Sequence, residues 1–307
     1  MPEKSLNGYN LKLKPDYIQL LQSEGFSKKR VVAALSAYIL VYFILIAIFF
    51  IIIEVILKIS GNSNTFSQFL NFDTEDFPFS DKFTDIILFL LFPTGMITNK
   101  IVFKKKAGNL ISVFGKFRLS WFFICLAVLT PIAAVCIIGQ TFLDGIPEFI
   151  FSKSTLFAVF LTLLFTPLQC AGEEMLFRGW GLQVFGIMFK NKNTAWILMS
   201  FTLSLLFSIA HFPANIWVGL ELFVSAILWC ALIYITGGME AGIILHSLNN
   251  LFLGIISDLT AGEMTFDASD IEAGFSREGA ALSISGDIVM FIAVILLWKK
   301  IQKYAKS

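Results

Sequence analysis

Three ionisable side chains stand close together in an otherwise apolar run, Ala171-Gly172-Glu173-Glu174-Met175-Leu176-Phe177-Arg178. An ionised carboxylate withdrawn from water costs several kcal/mol, so charges inside apolar segments are rare and need a reason. Glu174 and Arg178 are spaced i,i+4 and share a helix face, where they can pair. Glu173 then points about 100° away. Two readings follow: a buried ion pair that fixes helix packing, or an Arg178–Glu174 pair that leaves Glu173 to act on something. The chain has only two histidines, His211 and His246, and both lie in apolar runs. His246 and Asn250 are again i,i+4, whereas Asn249 does not share that face. Singly, each of these residues is more often a structural hydrogen-bonding group. Together, a carboxylate pair, an imidazole and an imidazole–amide pair supply a base, a group to position water and donors for an oxyanion, the set that peptide hydrolysis needs. Gln169 and Gln183 flank the motif as hydrogen-bonding neighbours. Glu54 and Glu221 lie near segment ends, where snorkelling, an interfacial place or packing accounts for them.

The elements that must carry these groups are apolar helices. Of 307 residues, 57% are hydrophobic, only 15% are charged and 34 are Phe. A soluble domain would carry about 25% charged residues. The pattern predicts an all-α polytopic membrane protein of about eight transmembrane helices, at roughly 31–57, 86–103, 119–139, 155–189, 194–211, 216–236, 241–257 and 287–298. The first apolar run is too long for a signal-peptide core. The fourth segment would run to about 52 Å as a helix, so a break near Pro167 is expected. Thr194 is the expected N-cap of the fifth. Basic residues gather in 1–30, in the 104–118 loop (Lys104, Lys105, Lys106, Lys116, Arg118) and in the tail after Trp298, and acidic residues in 58–85 and 258–286. The positive-inside rule then puts both termini in the cytoplasm of a multi-pass cell-membrane protein. The division expected is a cytoplasmic arm (1–30), helices 1–3 (31–154), a core of helices 4–7 (155–257), an external acidic loop (258–286), and a last helix with a basic tail (287–307). No nucleic-acid partner is indicated, since the Lys/Arg clusters flank spans. The four cysteines form no CxxC pair and read as small buried hydrophobes. At 1.5 Å per residue, Glu173 lies about 25 Å and His211 about 24 Å from one face, but His246 only about 10 Å.

Glu173-Glu174-x-x-x-Arg178, Phe207-x-x-x-His211 and His246-x-x-x-Asn250, with Gly179 after the arginine and the Thr236-Gly237 turn, resemble the three motifs of the CPBP family. These are the type II CAAX prenyl proteases and bacteriocin-processing proteins, also called the Abi family, and the resemblance covers about 160–255. It implies an intramembrane endopeptidase. Glu173 would activate water, His211 would help position it, and His246 and Asn250 would stabilise the oxyanion. Glu174 and Arg178 would be the supporting pair. Members are described both as metal-dependent and as metal-free. If Zn²⁺ is bound, Glu173, His211 and His246 are its ligands. The chain lacks the HExxH spacing and Asn is a poor zinc ligand, so a reaction with no required cofactor is favoured. Prenylated substrates belong to eukaryotic and some archaeal members, and nothing here marks a prenyl groove. The Phe-, Lys- and Ile-rich composition is of bacterial type, so a peptide or membrane-protein substrate within the lipid bilayer is expected. Oligomeric state is not fixed by the sequence. The competing readings are a non-catalytic immunity or scaffold protein and a proton- or ion-coupled transporter.

Overall fold

The computed structural model describes residues 17–22, 28–61, 80–143, 148–260 and 276–306. Among them no strand forms, and eight helices are long and apolar enough to cross a membrane. They are α1 (Lys28–Ile59), α2 (Lys82–Phe103), α3 (Leu119–Leu143), α4 (Lys153–Gly186), α5 (Lys192–Ala210), α6 (Ile216–Thr236), α7 (Glu240–Thr260) and α8 (Arg277–Lys306). The protein is thus an all-α polytopic membrane protein. α4 packs between α2 and α7. α7 also packs on α3, α3 on α8, α8 on α6 and α6 on α5, while α1 lies against α2. Large apolar side chains such as Ile39, Phe43, Ile51 and Phe160 are exposed on the outer faces. A contiguous apolar exterior of this kind suits lipid as the surrounding solvent.

Several expected boundaries are corrected. α5 is capped by Asn191, not Thr194: the Asn191 side-chain oxygen accepts from Asn193 N and Thr194 N, at 2.9 and 3.2 Å. An amide oxygen in that place satisfies two otherwise orphaned helix donors. α8 starts at Arg277, so Asp287 is helical, and Asp258 belongs to α7. Residues 1–16, 23–27, 62–79, 144–147 and 261–275 hold most of the expected arm and acidic loops and lie outside the described residues.

α4 does not break at Pro167. It continues as an α-helix to Glu174, passes through a π-helical turn at Met175–Gly181, and closes with Leu182–Gly186. Where water is absent, keeping the backbone helical leaves the fewest polar groups unpaired. The helix changes pitch at the motif itself, where two glycines allow close packing. A Cβ at Gly179 would stand 2.9 Å from the sulfurs of Met175 and Met239, and one at Gly181 would stand 2.8 Å from the Leu176 carbonyl. Turns of this kind are frequent at functional sites.

The stretch 104–118, expected as a cytoplasmic loop, is folded into the protein. Leu110 is fully buried, and Ser112 forms an antiparallel bridge with Gly238. Val113 N donates to Gly237 O (2.8 Å) and Met239 N to Ile111 O (3.0 Å). Arg118 is 2% exposed rather than solvated. It donates from N and Nε to Glu240 Oε1 (3.0 and 2.8 Å), from Nη2 to Oε2 (2.5 Å) and from Nη1 to the Thr236 carbonyl (2.7 Å). Gly238 has no room for a side chain, since its Cβ would lie 2.4 Å from Glu240 Oε2. α7 therefore begins at a buried ion pair, covered by the 104–118 segment. His246, near the start of α7, nonetheless meets α4 at the level of Glu173, with Nε2 3.5 Å from Glu173 Oε2, whatever the difference in residue count.

Removing one partner of a buried ion pair leaves an uncompensated charge. Arg118→Ala is expected to lower stability by about 3–5 kcal/mol, and Arg118→Met with Glu240→Leu to recover most of it. Thermal unfolding of the detergent-solubilised variants checks both.

Candidate active site

α4 presents Glu173 and Glu174 beside α2 and α7. Gly172 allows the approach of α2, because a Cβ there would lie 2.2 Å from the Leu88 carbonyl oxygen. On α7, Gly242 leaves room opposite Glu174, whose Oε2 would lie 3.5 Å from a Cβ at that position.

Glu174 is fully buried and accepts from Arg178 Nη1 and from His246 Nδ1, each at 3.1 Å. The i,i+4 pairing expected from the sequence is present. The contact from α7 was not foreseen. The Arg178 guanidinium lies 4.2 Å above the Phe207 ring centroid and 5.1 Å from that of Trp229. Such cation–π contacts replace part of the lost hydration. His246 stacks on Trp229 with centroids 4.6 Å apart and meets Phe207 edge-on.

Glu173 is 6% exposed. Its Oε1 accepts from Gln169 Nε2 at 2.6 Å. Its Oε2 is buried and has no hydrogen bond. It faces His246 Nε2 at 3.5 Å and His211 Nε2 at 3.8 Å. Those gaps exceed a direct N–H···O bond and suit a small bridging group.

His211 caps the C-terminal end of α5. Phe212, just before Pro213, takes φ +47, so the chain turns away just past the imidazole. Ser208 Oγ donates to Gly219 O (2.7 Å), tying this end to α6. His211 Nδ1 lies 2.7 Å from the Phe207 carbonyl. A carbonyl only accepts, so Nδ1 carries the proton and Nε2 of the neutral ring is an acceptor. The His211 side chain is 31% exposed, the most open member of the group.

The structure thus brings together Glu173, Glu174, Arg178, His211 and His246. Asn250 lies one turn beyond His246 on α7. Its Oδ1 accepts from Asn249 at 3.4 Å, and among the described residues it does not bond to the cluster. Gln183, expected beside the motif, instead donates to Asn109 O (2.8 Å) and holds the 104–118 segment. Glu221 takes the packing place expected of it, accepting from Ser283 between α6 and α8, where Ser225, with one hydroxyl hydrogen to give, lies within reach of both Glu221 and Asp287. At the other end of α7, Asp258 accepts from Thr162 of α4 (2.5 Å) and pairs with Lys82 of α2 (3.7 Å). Glu240 was missed. An acidic residue opening an apolar helix after Gly237-Gly238 was its available signal. Among the described residues the four cysteines are free, and no group of three or more His, Cys, Asp or Glu side chains is arranged to hold a metal ion.

Eight spanning-length helices around a buried cluster of carboxylates, imidazoles and one guanidinium define a polytopic membrane protein with an internal polar site. Residues 152–252, which carry every residue of the cluster, match the family described as type II CAAX prenyl endopeptidase, Rce1-like. The uncharacterized protein YyaK of Bacillus subtilis (strain 168) is 31% identical over 97 residues, covering 30% of this chain and 31% of YyaK. The chain therefore matches about a third of the length of that curated relative. No solved structure matches.

Arg178 works by shape as well as charge, because a planar guanidinium stacks where an ammonium does not. Arg178→Lys is expected to lower stability by about 1–2 kcal/mol with the net charge unchanged. An unaltered melting temperature would show that the rings contribute nothing.

Proposed function

We propose that this protein is an intramembrane endopeptidase in which Glu173 activates water. The observation that carries the reading is the unbonded, buried Glu173 Oε2 set between two imidazole Nε2 atoms. A water molecule there donates one hydrogen to Glu173 Oε2 and the other to the acceptor Nε2 of His211. Its lone pair is then free for a carbonyl carbon. Attack forms the C–O bond while Glu173 takes the proton. Collapse breaks the C–N bond, and the same proton passes to the departing amine. His246, held through Nδ1 by Glu174, donates from Nε2 to the carbonyl oxygen when protonated, and Asn250, whose Nδ2 hydrogens remain available, is the second donor. Donors fixed in a dry site stabilise such an oxyanion strongly. Arg178 offsets the charge of Glu174.

The substrate class is a peptide segment presented in or at the bilayer. The match over 152–252 makes C-terminal CAAX sequences the first to test, with and without a prenyl group. Residues 155–257 form the catalytic core in this reading. Both termini are cytoplasmic, supported by Lys28, Lys29 and Arg30 opening α1 and Lys299, Lys300 and Lys303 closing α8. The reaction is taken as metal-free, because the fourth group is an amide and the HExxH spacing is absent.

Loss of a general base costs about 10²–10⁴ in rate. Glu173→Ala is expected to reduce cleavage of a CAAX and random-peptide library at least that far, with an unchanged melting curve; full activity would refute the assignment. Titration with 1,10-phenanthroline is expected to leave wild-type cleavage intact. Loss restored by added Zn²⁺ would overturn the metal-free form alone.

A further inference from the structure

We propose that Gln169 is a positioning residue that decides which oxygen of Glu173 receives the proton of water. This rests on the reading of Glu173 as the base. Gln169 precedes Glu173 by one turn of α4, so the two share a face. Both are buried, at 8% and 6% exposure. Gln169 Nε2 donates to Glu173 Oε1 at 2.6 Å, short even for a bond to a carboxylate. The direction of the amide follows from the carboxylate, which when ionised only accepts and so requires the NH₂ end; Gln169 Oε1 is then left beside Cys170 Sγ at 3.4 Å.

The terminal torsion of a glutamate is soft and nearly two-fold, so an unheld carboxylate exchanges its oxygens freely. The amide removes that freedom. Oε1 is engaged, and Oε2 stays toward His246 Nε2 and His211 Nε2. The donor is also neutral and does not titrate. It orients the carboxylate without cancelling its charge, as a lysine or arginine in its place would. The two adjacent glutamates are thereby divided by the chemistry of their i,i+4 partners. Glu174 has a guanidinium and is held as an ion pair; Glu173 has a neutral amide and keeps one oxygen unbonded.

The test compares wild type, Gln169→Leu, Gln169→Met, Gln169→Glu and Glu173→Ala on the same detergent-solubilised full chain. The probe is an internally quenched peptide library with CAAX and non-CAAX members. Gln169→Leu and Gln169→Met are expected to lower kcat about 10–100-fold, the scale of misplacing a reacting group by an ångström, with KM and melting temperature unchanged. A residue that only packs would move stability and spare kcat. In Gln169→Glu the new carboxyl donates only when protonated, so the pH–rate profile is expected to shift to the acid side; a purely structural role predicts no shift. A readout independent of turnover is the Glu173 carboxylate stretch, isolated by infrared difference against Glu173→Gln. It is expected to shift in Gln169→Leu and Gln169→Met. Wild-type kcat with an unshifted band in the variants that fold overturns the proposal. If no library peptide is cleaved, the band alone decides it. Activity persisting in Glu173→Ala overturns the assignment of the base instead.

Discussion

A carboxylate stays ionised inside a helical bundle only with partners, and Glu174 has two. Arg178 reaches it from within α4, and His246 from α7. One side chain thus joins a local contact, set by helix period, to a long-range contact set by the fold. The rest follows from it. His246 is oriented by that bond, so its second nitrogen looks toward Glu173. Trp229 and Phe207 close around the Arg178 guanidinium and the His246 ring and help exclude water. Low dielectric strengthens each contact and makes any unmatched group costly, which is why so few arrangements of these residues are tolerable.

Polar ties hold α7 at three levels. Glu240 binds Arg118 at its start, His246 binds Glu174 in its first half, and Asp258 binds Thr162 and Lys82 at its end. The helices between them are otherwise held by apolar packing, which is weakly directional in lipid. These ties fix the rotation and depth of α7, and with it where His246 points. The two apolar clusters meet near the motif, since Phe177 packs against both. The π turn begins just past Glu174.

The architecture was legible because hydropathy and length are local properties. Ile216–Thr236 falls where the apolar run predicts. Periodicity also predicted the Glu174–Arg178 pair, and the three short motifs suggested a convergence in which Glu173, His211 and His246 do meet, while among the described residues Asn250 makes no bond to them. What sequence missed is non-local or energetically close. Arg118 and Glu240 are far apart in the chain, and each by itself reads as an ordinary flanking charge. Pro167 was expected to break α4, but in lipid the remaining helical bonds outweigh the one it removes. Asn191 and Thr194 are both good caps, and only the backbone geometry selects between them. Counting residues could not bring His246 level with Glu173, because that level is set by how α7 packs against α4, which brings the two to 3.5 Å.

The 104–118 segment, packed into the fold through Leu110, Ile111, Ser112 and Arg118, changes how the orientation of the chain can be measured. Tallies of flanking charge score Arg118 as a topogenic residue, yet its charge is spent on Glu240. A reporter or epitope spliced between Lys106 and Arg118 would not report on a passive connector. It would lift the floor under α7 and turn His246 away from Glu173, so silence from such a fusion would describe damage, not sidedness. Tags belong instead at the exposed end of α1, at Ser60 or Gly61, or after the exposed Lys303 of α8.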